Sequence, residues 1–134
     1  MTEINSGRYL AETLKGLGVS HLFHVPHVFA SAHKELPKAG VQRVLAHHEI
    51  AAVYMADGYA RAGRRPGVML AQGVGATNTA AGLREPFLAG SPVIALTGGP
   101  HPDNRYLYNY QVLDDFSMFE AVTKFNAMVE KPAR

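Results

Sequence analysis

Apolar positions along this chain alternate between a helical rhythm of three to four residues and short unbroken runs. Leu10, Leu14 and Leu17 share one helical face; Ser6 stands where an N-cap would, and Gly16 and Gly18 close the segment. The run His21-Leu22-Phe23-His24-Val25 reads as a strand stopped by Pro26. A weaker helix is predicted over 29–39, ending at Gly40, and a second buried strand over 41–45. An alanine-rich helix follows over 49–62 with Gly63 beyond its end. Residues 67–71 form an almost wholly apolar third strand, a turn with Gly73 and Gly75 leads into a helix over 76–89, and 92–97 make a fourth strand. Continuous apolar strands separated by helices imply a mainly parallel sheet covered on both faces, an α/β three-layer sandwich. A long loop then runs from Gly98 to about Gln111, followed by a short helix over 115–121 and a strand over 126–129. A doubly wound sheet calls for a further helix and strand, so the fold is expected to be incomplete at its C-terminus.

Composition narrows the possibilities. The 134 residues, 47% hydrophobic and 18% charged, fit one soluble domain without repeats or linkers. The absence of cysteine excludes disulfides, zinc–thiolate sites and a thiol nucleophile. No apolar run approaches the ~18–20 residues that span a bilayer. The start Met1-Thr2-Glu3-Ile4-Asn5 lacks a secretory pattern, so a cytoplasmic chain without membrane contact is expected. The net charge is only +2. Its densest basic cluster, Arg61, Arg64 and Arg65, is expected to complement the C-terminal dipole of a helix or to sit in solvent, and it is no nucleic-acid stripe.

Three groups of residues can carry chemistry. His47-His48-Glu49 stands at a strand-to-helix junction, where the helix dipole favours an acid and where Glu49 also reads as a capping residue beside structural histidines. Adjacent histidines point apart and the His-Glu-x-x-His spacing is missing, so no metal is expected here. Gln72-Gly73-Val74-Gly75-Ala76-Thr77-Asn78 is a strand-to-helix turn, either a structural turn or a cradle that lets a ligand approach the backbone. Asn78 replaces the third glycine of a dinucleotide fingerprint, and no acid stands about 20 residues on, which argues against a dinucleotide-binding oxidoreductase. Tyr110-Gln111 closes the long loop, of the kind that α/β proteins place at ligand sites. His21, His24, His27, His33 and His101 are scattered, and core or surface roles outweigh ligation.

Taken in order, the segments resemble the pyrimidine-binding (PYR) domain of thiamine-diphosphate-dependent enzymes, in the group of acetolactate synthase, pyruvate oxidase, benzoylformate decarboxylase and oxalyl-CoA decarboxylase. The likeness is carried by His48-Glu49-x-x-Ala52-x-x-Met55-Ala56-Asp57-Gly58-Tyr59-Ala60-Arg61, by Gly67-Val68, and by Gly73-Val74-Gly75-Ala76-Thr77-Asn78. It continues through Ser91-Pro92-Val93-Ile94-Ala95-Leu96-Thr97-Gly98, Gln111-x-x-Asp114 and Thr123-Lys124, and covers nearly the whole chain.

The resemblance implies that residues 1–134 form one PYR-type domain with the thiamine-diphosphate-binding fold; a piece of a longer enzyme and the small subunit of a split one both fit, and the unfinished end favours the first. It implies that Glu49 hydrogen-bonds N1′ of the cofactor's aminopyrimidine and so governs proton removal from thiazolium C2. By the same matching Pro26 meets the aminopyrimidine, Gly73, Gly75 and Asn78 line the pocket near the glutamate, and Gln111 faces the reacting carbonyl, with Tyr110 as a candidate substrate-facing group beside it. His27-Val28 stand where the family usually has glycine, which makes His27 a candidate substrate-facing group or a sign of altered cofactor fit. The Gly-Asp-Gly…Asn motif that holds the diphosphate and Mg²⁺ does not occur here. Those groups therefore fall to the diphosphate-binding (PP) domain of a neighbouring subunit in a homodimer or homotetramer, and this chain alone should be inactive. The expected reaction makes or breaks a C–C bond next to a carbonyl, on a 2-oxo acid. FAD, carried by some relatives on a middle domain, stays open. The rival reading is a non-catalytic docking or regulatory module that keeps the fold.

Overall fold

The computed structural model describes residues 5–26, 29–99, 107, 110–111, 113 and 117–129. Among these residues four helices and four strands alternate: α1 (Ser6–Gly16), β1 (His21–His24), α2 (Ala30–Glu35), β2 (Gln42–Leu45), α3 (Glu49–Gly63), β3 (Gly67–Ala71), α4 (Ala76–Leu88) and β4 (Val93–Thr97). A single 3₁₀ turn, Gly73–Gly75, leads into α4, and another covers Ser117–Phe119. The sheet has the order β2-β1-β3-β4 with every pairing parallel. This is the expected α/β sandwich.

Alternation along the central strands divides the interior in two. Leu22, Val68 and Leu70 face α1 and α2, where they meet Ala11, Leu14, Leu36 and Val41. Phe23, Met69 and Ala71 face the other way, against Ala52, Val53 and Ala56 of α3 and Leu83 of α4. All five residues of β3 are buried, so it forms the spine of both layers. Burial of one such Leu or Met side chain stabilises the fold by roughly 1.5–3 kcal/mol relative to exposure. Gly67 opens β3 where the backbone of α3 crosses it; a Cβ there would lie 1.9 Å from the Ala56 carbonyl oxygen.

Several local expectations are corrected. The N-cap of α1 is Asn5, whose Oδ1 accepts from the Arg8 amide at 2.8 Å; Ser6 is the first helical residue and Leu17 is exposed. Helix α2 is shorter than the span 29–39, and a turn carrying Pro37 and ending at Gly40 follows it. Strand β2 is an edge strand with exposed ends rather than a buried one, because only β1 pairs with it among the described residues. Gly63 closes α3 from within, and Arg64 takes the left-handed cap conformation at φ 48°. The described part of 115–121 is the 3₁₀ turn and a further turn, and 126–129 has no strand structure and is exposed.

Two of the three helix-end arginines, Arg61 and Arg65, are tied to α3. Arg61 grips Asp57 through two contacts, Nε to Oδ1 at 2.9 Å and Nη2 to Oδ2 at 2.8 Å. Arg65 lies over the Tyr59 ring, 5.7 Å from its centroid. The Arg61 hydrogen bond, joined by one from Ser91, holds the Asp57 carboxyl below its usual range against the opposing effect of burial. A carboxylate whose pKa falls on folding stabilises the native state above its unfolded value and loses that contribution as pH drops through the folded one. Asp57→Asn should therefore be less stable than the parent in urea unfolding at neutral pH, and the gap should close as the pH falls below about 4.

Candidate functional site

In a parallel sheet all carboxyl ends open on one side, and here four connections leave from that side. The chain steps from β1 through α2 to one edge, whereas β3 leads through α4 to the other. The loops after the adjacent β1 and β3 thus part towards opposite faces, and such a divergence is where open α/β sheets form a crevice. A cleft of about 390 Å³ lies there, lined by Val25, Pro26, His47, Glu49, Gln72, Val74 and Gln111.

Glu49 enters the cleft from the first residue of α3. The helix is capped by His48, with extended backbone, whose Nδ1 accepts from the Ile50 amide at 3.2 Å. That bond requires Nδ1 to carry no proton, and it satisfies one of the orphan donors of the first turn. Glu49 is therefore not the cap, and its carboxylate is directed elsewhere. One oxygen, Oε2, accepts from Asn78 Nδ2 at 3.1 Å, across from the first turn of α4. The other, Oε1, faces Gly75; a Cβ on that residue would stand 2.5 Å from it. Glycine at 75 is thus the condition for the carboxylate to hold this position. Thr79, fully buried, ties the turn by donating from Oγ1 to the Gly75 carbonyl at 2.9 Å. The half-buried acid sits at a helix N-terminus, where the dipole favours negative charge.

A second polar group faces it. Gln111 adopts a left-handed backbone at φ 59°, with its carbonyl oxygen packed over Gly73. Its side-chain Oε1 accepts from Gln72 Nε2, and its Nε2 donates to Tyr110 Oη at 3.2 Å. Tyr110 is 89% exposed and meets the site through that bond.

Of the residues singled out in the sequence, Glu49, Pro26 and Gln111 line the cleft, Asn78 bonds Glu49, and Gly73 and Gly75 form the turn beside it. His27 lies outside the described residues, as do His101 and Asp114. Among the other histidines, His24 is buried with its ring edge-on to His33 at 5.3 Å, and His21 packs on Tyr59 at 5.5 Å. Burial, Arg43 and His24 together lower the pKa of His33. No group of three His, Asp or Glu side chains among the described residues is arranged to hold a metal ion. Sequence reasoning missed Gln72 as a site residue. Its position one residue past the end of a buried strand, where α/β sheets bind ligands, was the available signal.

Comparison with known proteins gives a consistent result. The family described as thiamine pyrophosphate enzyme, N-terminal TPP binding domain, matches residues 4–118. Acetolactate synthase of Bacillus subtilis is 35% identical over 115 residues, covering 84% of this chain and 20% of that protein. Sulfoacetaldehyde acetyltransferase of Alcaligenes xylosoxydans xylosoxydans is 34% identical, covering 92% of this chain and 21% of that protein. A probable 2-ketoarginine decarboxylase of Pseudomonas aeruginosa is 29% identical over 134 residues, covering 96% of this chain and 24% of that protein. The chain thus spans about a fifth to a quarter of the length of these relatives. No helix among the described residues is long and apolar enough to cross a membrane.

Proposed function

Because this chain belongs to the thiamine pyrophosphate enzymes, as their N-terminal TPP binding domain, we propose that its cleft receives the aminopyrimidine ring of thiamine diphosphate and that Glu49 is the acid that activates it. One observation carries the reading. A half-buried carboxylate, anchored by Asn78 and left room by Gly75, faces a cleft at the point where the sheet connections diverge. The donor set fits a flat nitrogen heterocycle. Val25, Pro26 and Val74 offer apolar walls, and Glu49 offers an oxygen to a ring nitrogen. When bound, the cofactor supplies an acidic carbon that adds to carbonyl groups and accepts the electron pair released when a neighbouring C–C bond breaks.

The residues of this chain have narrower tasks. Glu49 shares a proton with the ring nitrogen, and Asn78 keeps the carboxylate aimed by occupying its far oxygen. The apolar walls exclude water, which strengthens that proton-sharing contact. Gln111 presents its side-chain amide to the carbonyl of the substrate, for which a 2-oxo acid is the class we infer. The names of the relatives, synthase, decarboxylase and acetyltransferase, support a lyase or transferase acting next to a carbonyl. The diphosphate and Mg²⁺ are assigned to the PP domain of a neighbouring subunit, in a homodimer or homotetramer.

Titration of the full assembly with thiamine diphosphate and Mg²⁺ by calorimetry tests this function. Saturable heat at cofactor concentrations below a millimolar is expected. No heat at millimolar cofactor would instead identify a docking module that keeps the fold without the chemistry.

A further inference from the structure

We propose that Gln72 is a positioning residue that keeps the carbonyl oxygen of the Gln111 side chain occupied, so that Gln111 offers an N–H to a carbonyl oxygen in the cleft. The inference rests on the reading of the site given above, since the oxygen to be met is that of the substrate carbonyl.

The chain of hydrogen bonds sets the polarity. A glutamine side chain carries one acceptor oxygen and two N–H donors, and which end meets a ligand depends on its neighbours. Gln111 is exposed and ends a long connection, so its own backbone leaves the amide undirected. Gln72 is half-buried and rooted directly at the end of β3, the most buried strand, which makes it the better anchored of the two. Gln72 Nε2 donates to Gln111 Oε1, which engages the oxygen and turns that end of the amide towards Gln72. One Gln111 N–H goes to Tyr110 Oη at 3.2 Å, and the second is what remains for the cleft. Tyr110 cannot impose this polarity, because a phenol hydroxyl both donates and accepts. A donor held against an oxygen that gains negative charge lowers the barrier, whereas a carbonyl in the same place repels it.

The backbone of Gln111 lies beside the Gly73–Gly75 turn. Its carbonyl and that of Gly98 both lie over Gly73, so Gln111 sits against the turn that follows Gln72. Gln72 and Gln111 are 39 positions apart and both line the cleft beside Glu49.

The test uses the complete assembly with Gln72→Leu, the near-isosteric Gln72→Glu, Gln111→Leu and the Gln72→Leu/Gln111→Leu double variant. Gln72→Leu should lower kcat/KM roughly tenfold by freeing the Gln111 amide. Gln72→Glu should lower it more, on the order of a hundredfold, because a carboxylate only accepts and draws the Gln111 N–H groups to itself. In the Gln111→Leu background, Gln72→Leu should add less than about twofold, as expected for residues that act through one another. A readout independent of turnover is calorimetric binding of the 2-oxo acid to the assembly loaded with an unreactive cofactor analogue; affinity should fall in the same order. Effects that multiply in the double variant, or a Gln72→Glu variant that matches the parent, overturn the proposal. If Gln72→Leu does not fold, Gln72→Glu carries the test alone. Proton exchange at the cofactor's C2, read in the same samples, separates the two readings. Exchange that depends on Glu49 while the double variant is multiplicative defeats only the role of Gln72; absence of cofactor binding defeats both.

Discussion

Glu49→Gln in the complete assembly is expected to slow proton exchange at C2 of bound thiamine diphosphate by at least ~10²-fold, within the range of ~10²–10⁴ that a positioned acid or base contributes. The replacement is nearly isosteric. Its amide oxygen can still accept from Asn78, which now bonds Oε2 at 3.1 Å, and the space left by Gly75 still admits the side chain. The cap of α3 is untouched, because it belongs to His48. The variant should therefore fold with the parent's Tm and lose only the ability to share a proton with a ring nitrogen. Quenched hydrogen–deuterium exchange followed by NMR reads the effect directly. Parent-like exchange in the variant would remove Glu49 from the chemistry and leave it as an acid favoured by a helix dipole.

The largest loss of stability is expected from Gly67→Val. A Cβ at this position would meet the Ala56 carbonyl oxygen at 1.9 Å and its carbon at 2.6 Å. Both are backbone atoms in the middle of α3, and Ala56 is wholly buried. No side chain can rotate aside, so the helix itself must move. Overpacking that forces backbone shifts costs ~1–3 kcal/mol and sometimes more, and this contact belongs at the upper end. For a domain of this size a loss of about 3 kcal/mol lowers Tm by roughly 10 °C. Because α3 also carries Glu49 at its first residue, Gly67→Val should weaken cofactor binding as well, although the two positions are far apart in sequence. Urea unfolding and thermal melting of the purified chain check the first effect; a Tm within about two degrees of the parent's would show that the helix yields freely.

The two glycines at the centre of these expectations behave differently for a physical reason. At Gly67 the obstacle is helix backbone, whereas at Gly75 it is the far end of a flexible acid. One position secures the packing of the layers, and the other secures the aim of a carboxylate. Both lie in motifs that the sequence displays, and neither obstacle is visible without the fold.

Local sequence signals specify only what short range can reach. Unbroken apolar runs bounded by glycine and proline placed β1, β3 and β4 within a residue of their observed ends, and the alanine-rich periodicity placed α3. The turn at Gly73–Gly75 and the acid at a helix start were likewise legible, because each is set by residues within four positions of it. Tertiary structure decided the rest. Strand β2 carries Val44 and Leu45 yet lies at an edge, since the order β2-β1-β3-β4 follows from how the connections cross the sheet and not from any run of residues. His48 rather than the acid beside it supplies the cap, a matter of backbone angles at one residue. Glu49 finds Asn78 across 29 positions and Gln72 finds Gln111 across 39. Periodicity reports which way a side chain faces on its own element, whereas the partner it meets depends on where parallel strand ends converge, and only the assembled sheet sets that.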